Sequence, residues 1–370
     1  MRMPLTLSLY FGRVFMLAVA GMLAGLTAIV ALFDFLELLR ESAARPQVSF
    51  GIVLQIEILR LPWSVLQLLP FAVLLGGLYA FWKLGRASEL VVARAAGISA
   101  WQFLAGPVLL AACLGGLGTG ALSPISATMF GRAELLDDAY LKPGGGPLSL
   151  NGGELWVRQA DKALTPGGVA VLHASNVHLN GTVLTTDSIT ILRLDGGNAL
   201  LARIEAGHAT LSTGSWELDD VNTLTPGNAP EHAGTLAFPT DLTVNRVQRS
   251  FASPDSLSFW ELPGFIRLLK RSGFSATQHE LAFQALFALP LLCATMALLA
   301  AGFSMSQNRR GGTGKMVTLG ASAGFSLFMI SEIANQLGNS GAVPVVLAAW
   351  APALAGLFLA LALLLHLEDG

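Results

Sequence analysis

One short segment of this chain carries residue types suited to gripping a partner rather than to breaking bonds. It reads Arg86-Ala-Ser-Glu-Leu-Val-Val-Ala-Arg94-Ala-Ala-Gly97-Ile-Ser99. As a helix, it places Leu90, Val91, Ala95 and Ile98 near one side. Ser88 is then able to cap the N-terminus, and Glu89 falls in the first turn, where the helix dipole favours a carboxylate. A rigid element with one apolar side and one placed charge can dock in a cleft of another protein and take force from it. The same pattern also fits a helix resting on lipid headgroups. A second polar group, Glu332, Asn335 or Gln336, and Asn339, follows helical spacing inside an apolar stretch, so it lines a wet cavity or makes hydrogen bonds between helices.

Nothing else in the chain has the spacing of a reaction centre. His173, His178, His208 and His232 have no neighbouring cysteine or paired carboxylate at metal-ligand spacing and read as strand-face residues. The sequence has no Gly-x-x-x-x-Gly-Lys-Ser/Thr loop; Gly311-Gly-Thr-Gly-Lys315 has the wrong glycine spacing and leads into an apolar stretch. The expectation is a chain that is not an enzyme and binds no cofactor or metal of its own.

The elements that position these residues follow from composition. With 370 residues, 53% hydrophobic and 12% charged, the chain reads as an integral membrane protein. A net charge of −2 without a long basic tract gives no sign of nucleic-acid binding or of a polybasic lipid anchor. Cys113 and Cys293 both lie in apolar stretches, where packing suffices to explain them, and the polar block has no cysteine, so its folding needs no oxidant. Apolar stretches run from about Val14 to Leu36, Leu61 to Trp82, Trp101 to Leu122, Leu281 to Phe303, Met316 to Gln336 and Val343 to His366. Each is long enough to cross about 30 Å of hydrocarbon as a helix. The first is too long for a removable signal peptide.

Arg2 and Arg13, then Lys83, Arg86 and Arg94, then Arg309, Arg310 and Lys315 flank the short loops that the positive-inside rule assigns to the cytoplasm. Both termini then lie inside and the block from Pro124 to Phe274 outside. The loop at 37–60, of mixed charge, is placed outside by alternation. This divides the chain into 1–124, 125–254, 255–274 and 275–370.

Within the outer block, the runs 154–158, 169–173, 182–186, 189–192 and 242–245 alternate imperfectly between apolar and polar and end at turn residues, which predicts an all-β sandwich or jelly roll. Residues 202–210 and 215–221 read as strand, turn and strand, with Trp216 and Leu218 facing inward. Next, Leu262, Phe265, Ile266 and Leu269 recur at helical spacing before Lys270, Arg271 and Gly273. This amphipathic helix lies at the outer membrane surface or packs on the sheet domain.

Several features together resemble the LptF/LptG permease family of the lipopolysaccharide export ABC transporter. They are Arg86-Ala-Ser-Glu-Leu-Val-Val92 with Ala96-Gly97, Leu69-Pro-Phe-Ala-Val-Leu-Leu-Gly76, Asp255-Ser-Leu-Ser258, Leu268-Leu-Lys-Arg-Ser-Gly273 and the three-plus-three layout around a large domain. The region before the fourth span favours the LptG side of that family. The resemblance implies a bacterial inner-membrane protein with a periplasmic jellyroll-like domain. Its partners would be an LptF-like sister permease, an LptB-like ATPase dimer that uses ATP and Mg, an LptC-like membrane-anchored jellyroll protein and lipopolysaccharide. The segment with Arg86, Ser88, Glu89, Leu90, Val91, Arg94 and Gly97 would be the coupling helix, and spans one and five the lateral gates.

For an anionic amphiphile, Arg40, Arg60 and Arg132 become phosphate-facing candidates, or they snorkel to the interface. Asp34, Glu37, Glu332 and Gln336 complete the cavity or gate set. The chain departs from the family where a span-one lysine is expected, since Ile29-Val-Ala-Leu-Phe-Asp-Phe-Leu-Glu37 holds acids and no base. Asp34 and Glu37 therefore suit pairing with a neighbouring subunit. Two other classes fit parts of the layout. A lipoprotein-releasing or mechanotransmission subunit would have four spans in another order, and a membrane-anchored β-domain without transport would associate with no ATPase.

Overall fold

Among the described residues of the computed structural model, six helices long and apolar enough to cross a membrane bracket one antiparallel sheet. It describes residues 5–369 apart from 44–47, 90–91, 93–94, 96–98, 142–147, 152–153, 162–167, 181–182, 198, 213, 241, 245–246, 248–252, 272–274 and 307–312. The chain divides into a helical unit, residues 1–141, 255–262 and 277–370, and a β unit, residues 142–254 and 263–276.

In the helical unit, α1 (Leu5–Ala43) and α2 (Phe50–Arg86) form an antiparallel hairpin. A third helical stretch runs as α3 (Ala100–Leu117), a π-helical turn (Gly118–Leu122) and α4 (Ser123–Tyr140). The last three spans are α6 (Thr277–Ser306), α7 (Thr313–Asn339) and α8 (Val345–Asp369), numbered to follow α5 (Leu262–Arg271) of the β unit. All six sequence-predicted spans are helices, and all but the last begin earlier than hydropathy alone places them. A helix continues past the hydrocarbon wherever its polar residues still favour the backbone pairing, and apolar length does not report that extension.

Two boundaries change as a result. Residues 125–140, placed by sequence in the β-domain, are the continuation of the third span as α4, and the first strand begins at Leu148. The predicted loop at 37–60 is mostly helix, so Glu37, Arg40, Glu57 and Arg60 all sit on α1 or α2.

Close helix approach depends on glycine. A Cβ at Gly76 would lie 2.6 Å from the Val19 Cα, and one at Gly115 would lie 2.6 Å from the Pro290 Cα. Phe11, Phe15, Phe81, Phe103 and Leu299 fill the core around these crossings. The π turn departs from ordinary helix pairing, and its groups find partners elsewhere. Thr119 Oγ1 donates to Leu286 O at 2.7 Å, and Trp260 Nε1 donates to Gly120 O at 3.1 Å.

The motif Asp255-Ser-Leu-Ser258 has a local structural role. Ser258 donates through both N and Oγ to Glu261 Oε2, at 2.9 and 2.6 Å, and Oγ accepts from the Glu261 N–H at 3.3 Å. These bonds hold the Glu261 carboxyl below the usual carboxylate range.

The β unit is a meander among the described residues. Its strands β1 (Leu148–Asn151), β2 (Glu154–Ala160), β3 (Val169–Asn180), β4 (Val183–Leu194), β5 (Leu200–Ser212), β6 (Ser215–Leu224) and β7 (Glu231–Pro239) pair in sequence order. The predicted sandwich or jelly roll is thus realised as one rolled sheet. Gln159 on β2 donates to Pro239 O at 2.9 Å and accepts from Thr240 Oγ1 at 2.6 Å, which ties β2 to the end of β7.

Alternation supplies the interior. Leu155, Val157, Leu172, Leu184, Ile191, Ile204, Trp216 and Leu218 share one buried face. The runs 182–186 and 189–192 belong to the single strand β4. The run 242–245 is not a strand at its described residues; Leu242 instead caps the core. The 202–221 hairpin forms as expected, turning at Gly214 with φ 90°. Of the two readings of the amphipathic helix, the sheet-packed one holds, because Leu269, Phe265 and Ile266 of α5 join the β core.

Trp216 is fully buried, so Trp216→Ala should destabilise the β unit by about 3–5 kcal/mol. Limited proteolysis of the detergent-purified chain would show it as early cleavage between residues 148 and 239. Trp216→Phe should be milder, since it also removes an enclosed indole N–H that has no partner among the described residues.

Candidate functional site

The docking segment begins where α2 ends. Arg86 is exposed and lies over the Trp82 ring, its guanidinium carbon 5.6 Å from the centroid. Ser88 adopts φ 60°, in the left-handed region, whereas an N-cap residue is normally extended. Its carbonyl accepts the Val92 N–H at 3.0 Å, so a helical turn does start there. Leu90, Val91, Arg94 and Gly97 lie outside the described residues. At the far side of the segment, Ser99 and Gln102 form a reciprocal capping box that opens α3.

Glu89 is half-buried, and its Oε1 accepts a hydrogen bond from the Tyr10 hydroxyl at 3.1 Å. Tyr10 lies 79 positions earlier and was not singled out from sequence. A contact across that separation leaves no local pattern to read.

The other candidates gather at the opposite end of the α1–α2 hairpin. Asp34 is half-buried on α1. Glu37 and Arg40 are 3.9 Å apart and strongly exposed, a pairing that contributes little in water. Arg60 is 3.3 Å from Asp137 of α4, whose carboxylate is buried. Its guanidinium is therefore already engaged within the chain. Arg132 is exposed.

Glu57 was not anticipated. It is buried on α2, and its Oε2 has no partner among the described residues. Its burial follows from the helix over Phe50–Arg86, which the mixed charge of residues 37–60 does not signal.

The polar residues of the fifth span lie on α7. Glu332 and Gln336 are exposed one turn apart, and Gln336 Nε2 donates to Glu332 Oε1 at 3.3 Å. Of the six spans, α1 and α7 are the least buried within the chain. Large apolar side chains such as Phe33 and Leu32 on α1, and Ile333 and Phe325 on α7, are exposed beside those polar groups. Lipid satisfies the apolar side chains but not the carboxylate and amide, so these faces suit a second protein or a wet cavity.

Comparison with known proteins supplies a family. The model of the lipopolysaccharide export system permease LptF/LptG matches residues 9–366. The chain is 25% identical over 366 residues to the lipopolysaccharide export system permease protein LptG of Haemophilus influenzae, covering 94% of this chain and 95% of that one. To the protein of the same name from Escherichia coli K12 it is 24% identical over 361 residues, covering 96% and 97%.

Proposed function

The chain belongs to the LptF/LptG family of lipopolysaccharide export permeases, and from that membership we propose that it forms one half of a permease pair that extracts lipopolysaccharide from the inner membrane under the drive of a separate ATPase. The observation that carries this reading is the family match across residues 9–366, which takes in all or most of every element described above. The pairing partner is an LptF-like sister permease, and α1 and α7 are the faces that meet it or gate the cavity between them. An LptB-like ATPase dimer, using ATP and Mg, grips the segment around Glu89 on the cytoplasmic side, with both termini on that side and the β unit in the periplasm.

The mechanism follows from what each region offers. Nucleotide binding in the ATPase displaces the coupling segment, the α1–α2 hairpin moves with it, and the cavity closes on the lipid. Arg132 and Arg40 face its phosphates more openly than Arg60, which Asp137 already engages. The lipid then passes toward the rolled sheet and on to a periplasmic β-bridge held with an LptC-like partner. Strand β7 pairs only with β6 among the described residues, and its side away from β6, apart from the Pro239 end that Gln159 of β2 holds, is the edge such a bridge would extend. Six spans favour this layout over that of a lipoprotein-releasing subunit with four.

The test is co-purification of the chain with the sister permease and the ATPase, followed by ATPase measurement in liposomes with and without lipopolysaccharide. A stable complex whose hydrolysis responds to lipopolysaccharide and releases it is the expected result. A chain that associates with no ATPase overturns the proposal.

A further inference from the structure

Glu89 is not simply presented at the surface. One of its oxygens is held by Tyr10, and the other, Oε2, is enclosed without a partner among the described residues. The geometry points to Tyr10 as a positioning residue that ties the foot of α1 to the coupling segment, so that force applied at Glu89 enters the gate helix directly. This rests on the coupling role proposed above for Glu89.

The foot of α1 is built to receive a load. Phe11 and Phe15 are fully buried, and Phe11 meets Phe103 edge-on at 6.2 Å. A Cβ at Gly106 would sit 2.9 Å from Ser8 Oγ, and one at Gly12 would sit 2.8 Å from Leu110 Cδ1, so α1 and α3 touch closely on both sides of Tyr10. Tyr10 therefore projects from a seated helix, and its hydroxyl is a fixed donor. Glu89 follows Ser88, whose left-handed φ sets the direction in which the chain leaves α2. Arg86 is occupied over Trp82, which leaves the phenol as the described hydrogen-bond donor to this carboxylate.

Rigidity carries the displacement onward. The 39 residues of α1 contain no proline and no π turn, the usual causes of a sharp kink. The third span, by contrast, is interrupted at Gly118–Leu122. A helix of that length extends about 58 Å. Its far end carries Asp34, Glu37 and Arg40, and it is the least buried of the spans. Without the Tyr10 bond, the coupling segment would reach the gate only through packing of its flanking helices.

The experiment uses the full chain assembled with its sister permease and ATPase in lipopolysaccharide-containing liposomes. Tyr10→Phe removes one hydroxyl and keeps the ring. It should lower the lipopolysaccharide released per ATP hydrolysed by about fivefold, the scale of one ordinary net hydrogen bond, because the site is half-exposed. The amount of co-purified ATPase should not change. Glu89→Asp keeps the charge but draws it one methylene away from the phenol; it should reproduce the deficit, and combining the two changes should add nothing.

A wild-type release ratio in Tyr10→Phe, additive losses in the double variant, or loss of the ATPase from the complex would each overturn the link. Intact export in the wild type under any of those outcomes leaves the export reading standing. A wild-type chain that binds no ATPase removes both.

Discussion

On the proposed coupling role, Glu89→Lys should abolish capture of the partner ATPase and, with it, ATP-driven lipopolysaccharide release, while the variant still inserts in the membrane at wild-type levels. Insertion is spared because Glu89 is half-buried at a helix start and contributes to no apolar core. Capture is lost for two reasons. A carboxylate that meets a cationic cleft contributes through a close charge pair, and truncating one partner of such a pair costs about 2–5 kcal/mol. Reversal adds repulsion to that loss, and it also replaces the acceptor of the Tyr10 bond with an ammonium group. A loss of at least about 100-fold in affinity follows from those magnitudes. Glu89→Ala should fall between wild type and Glu89→Lys. Quantitative pull-down from detergent extracts measures it, and normal capture together with normal export in Glu89→Lys would remove the residue from the coupling role.

Local patterns made much of this architecture readable. Each span announces itself by apolar length, and strands β2 to β6 by side chains that alternate about one buried face. Legibility fails where burial does not write a pattern. Strand β7, Glu231–Pro239, is exposed at every residue except Phe238, so it has no alternation to detect. Residues 125–140 are polar enough to look like part of the β-domain, yet they continue a helix that begins in the apolar stretch. At the candidate site, charge type was readable and charge partner was not. Arg60 and Asp137 are far apart in sequence and meet only because α2 and α4 pack together. Tyr10 and Glu89 meet because α1 is seated on α3. A single sequence specifies such non-local pairs only through the fold.

The other large effect concerns those seats themselves. Gly76→Leu and Gly115→Leu should each prevent the helical unit from assembling, seen as a collapse of the monodisperse peak in detergent size-exclusion chromatography and a fall in thermal stability. At Gly76 the added Cβ would lie 2.6 Å from Val19 Cα, 2.8 Å from Val19 N and 3.0 Å from Ala18 C. At Gly115 it would lie 2.6 Å from Pro290 Cα and 2.9 Å from Leu289 O. These neighbours are backbone atoms of another helix, so no rotamer change relieves the overlap and the helices must separate. Overpacking against movable side chains costs about 1–3 kcal/mol, and fixed backbone raises that figure. In lipid no hydrophobic force between helices recovers the loss, because association there depends on close packing. Gly21 and Gly25 supply the control. They lie on the same helix as Val19, but a Cβ at either meets nothing within 4 Å. Gly21→Ala and Gly25→Ala should leave the isolated chain as stable as wild type, and a loss at those positions equal to that at Gly76 would show that α1 does not pack as described.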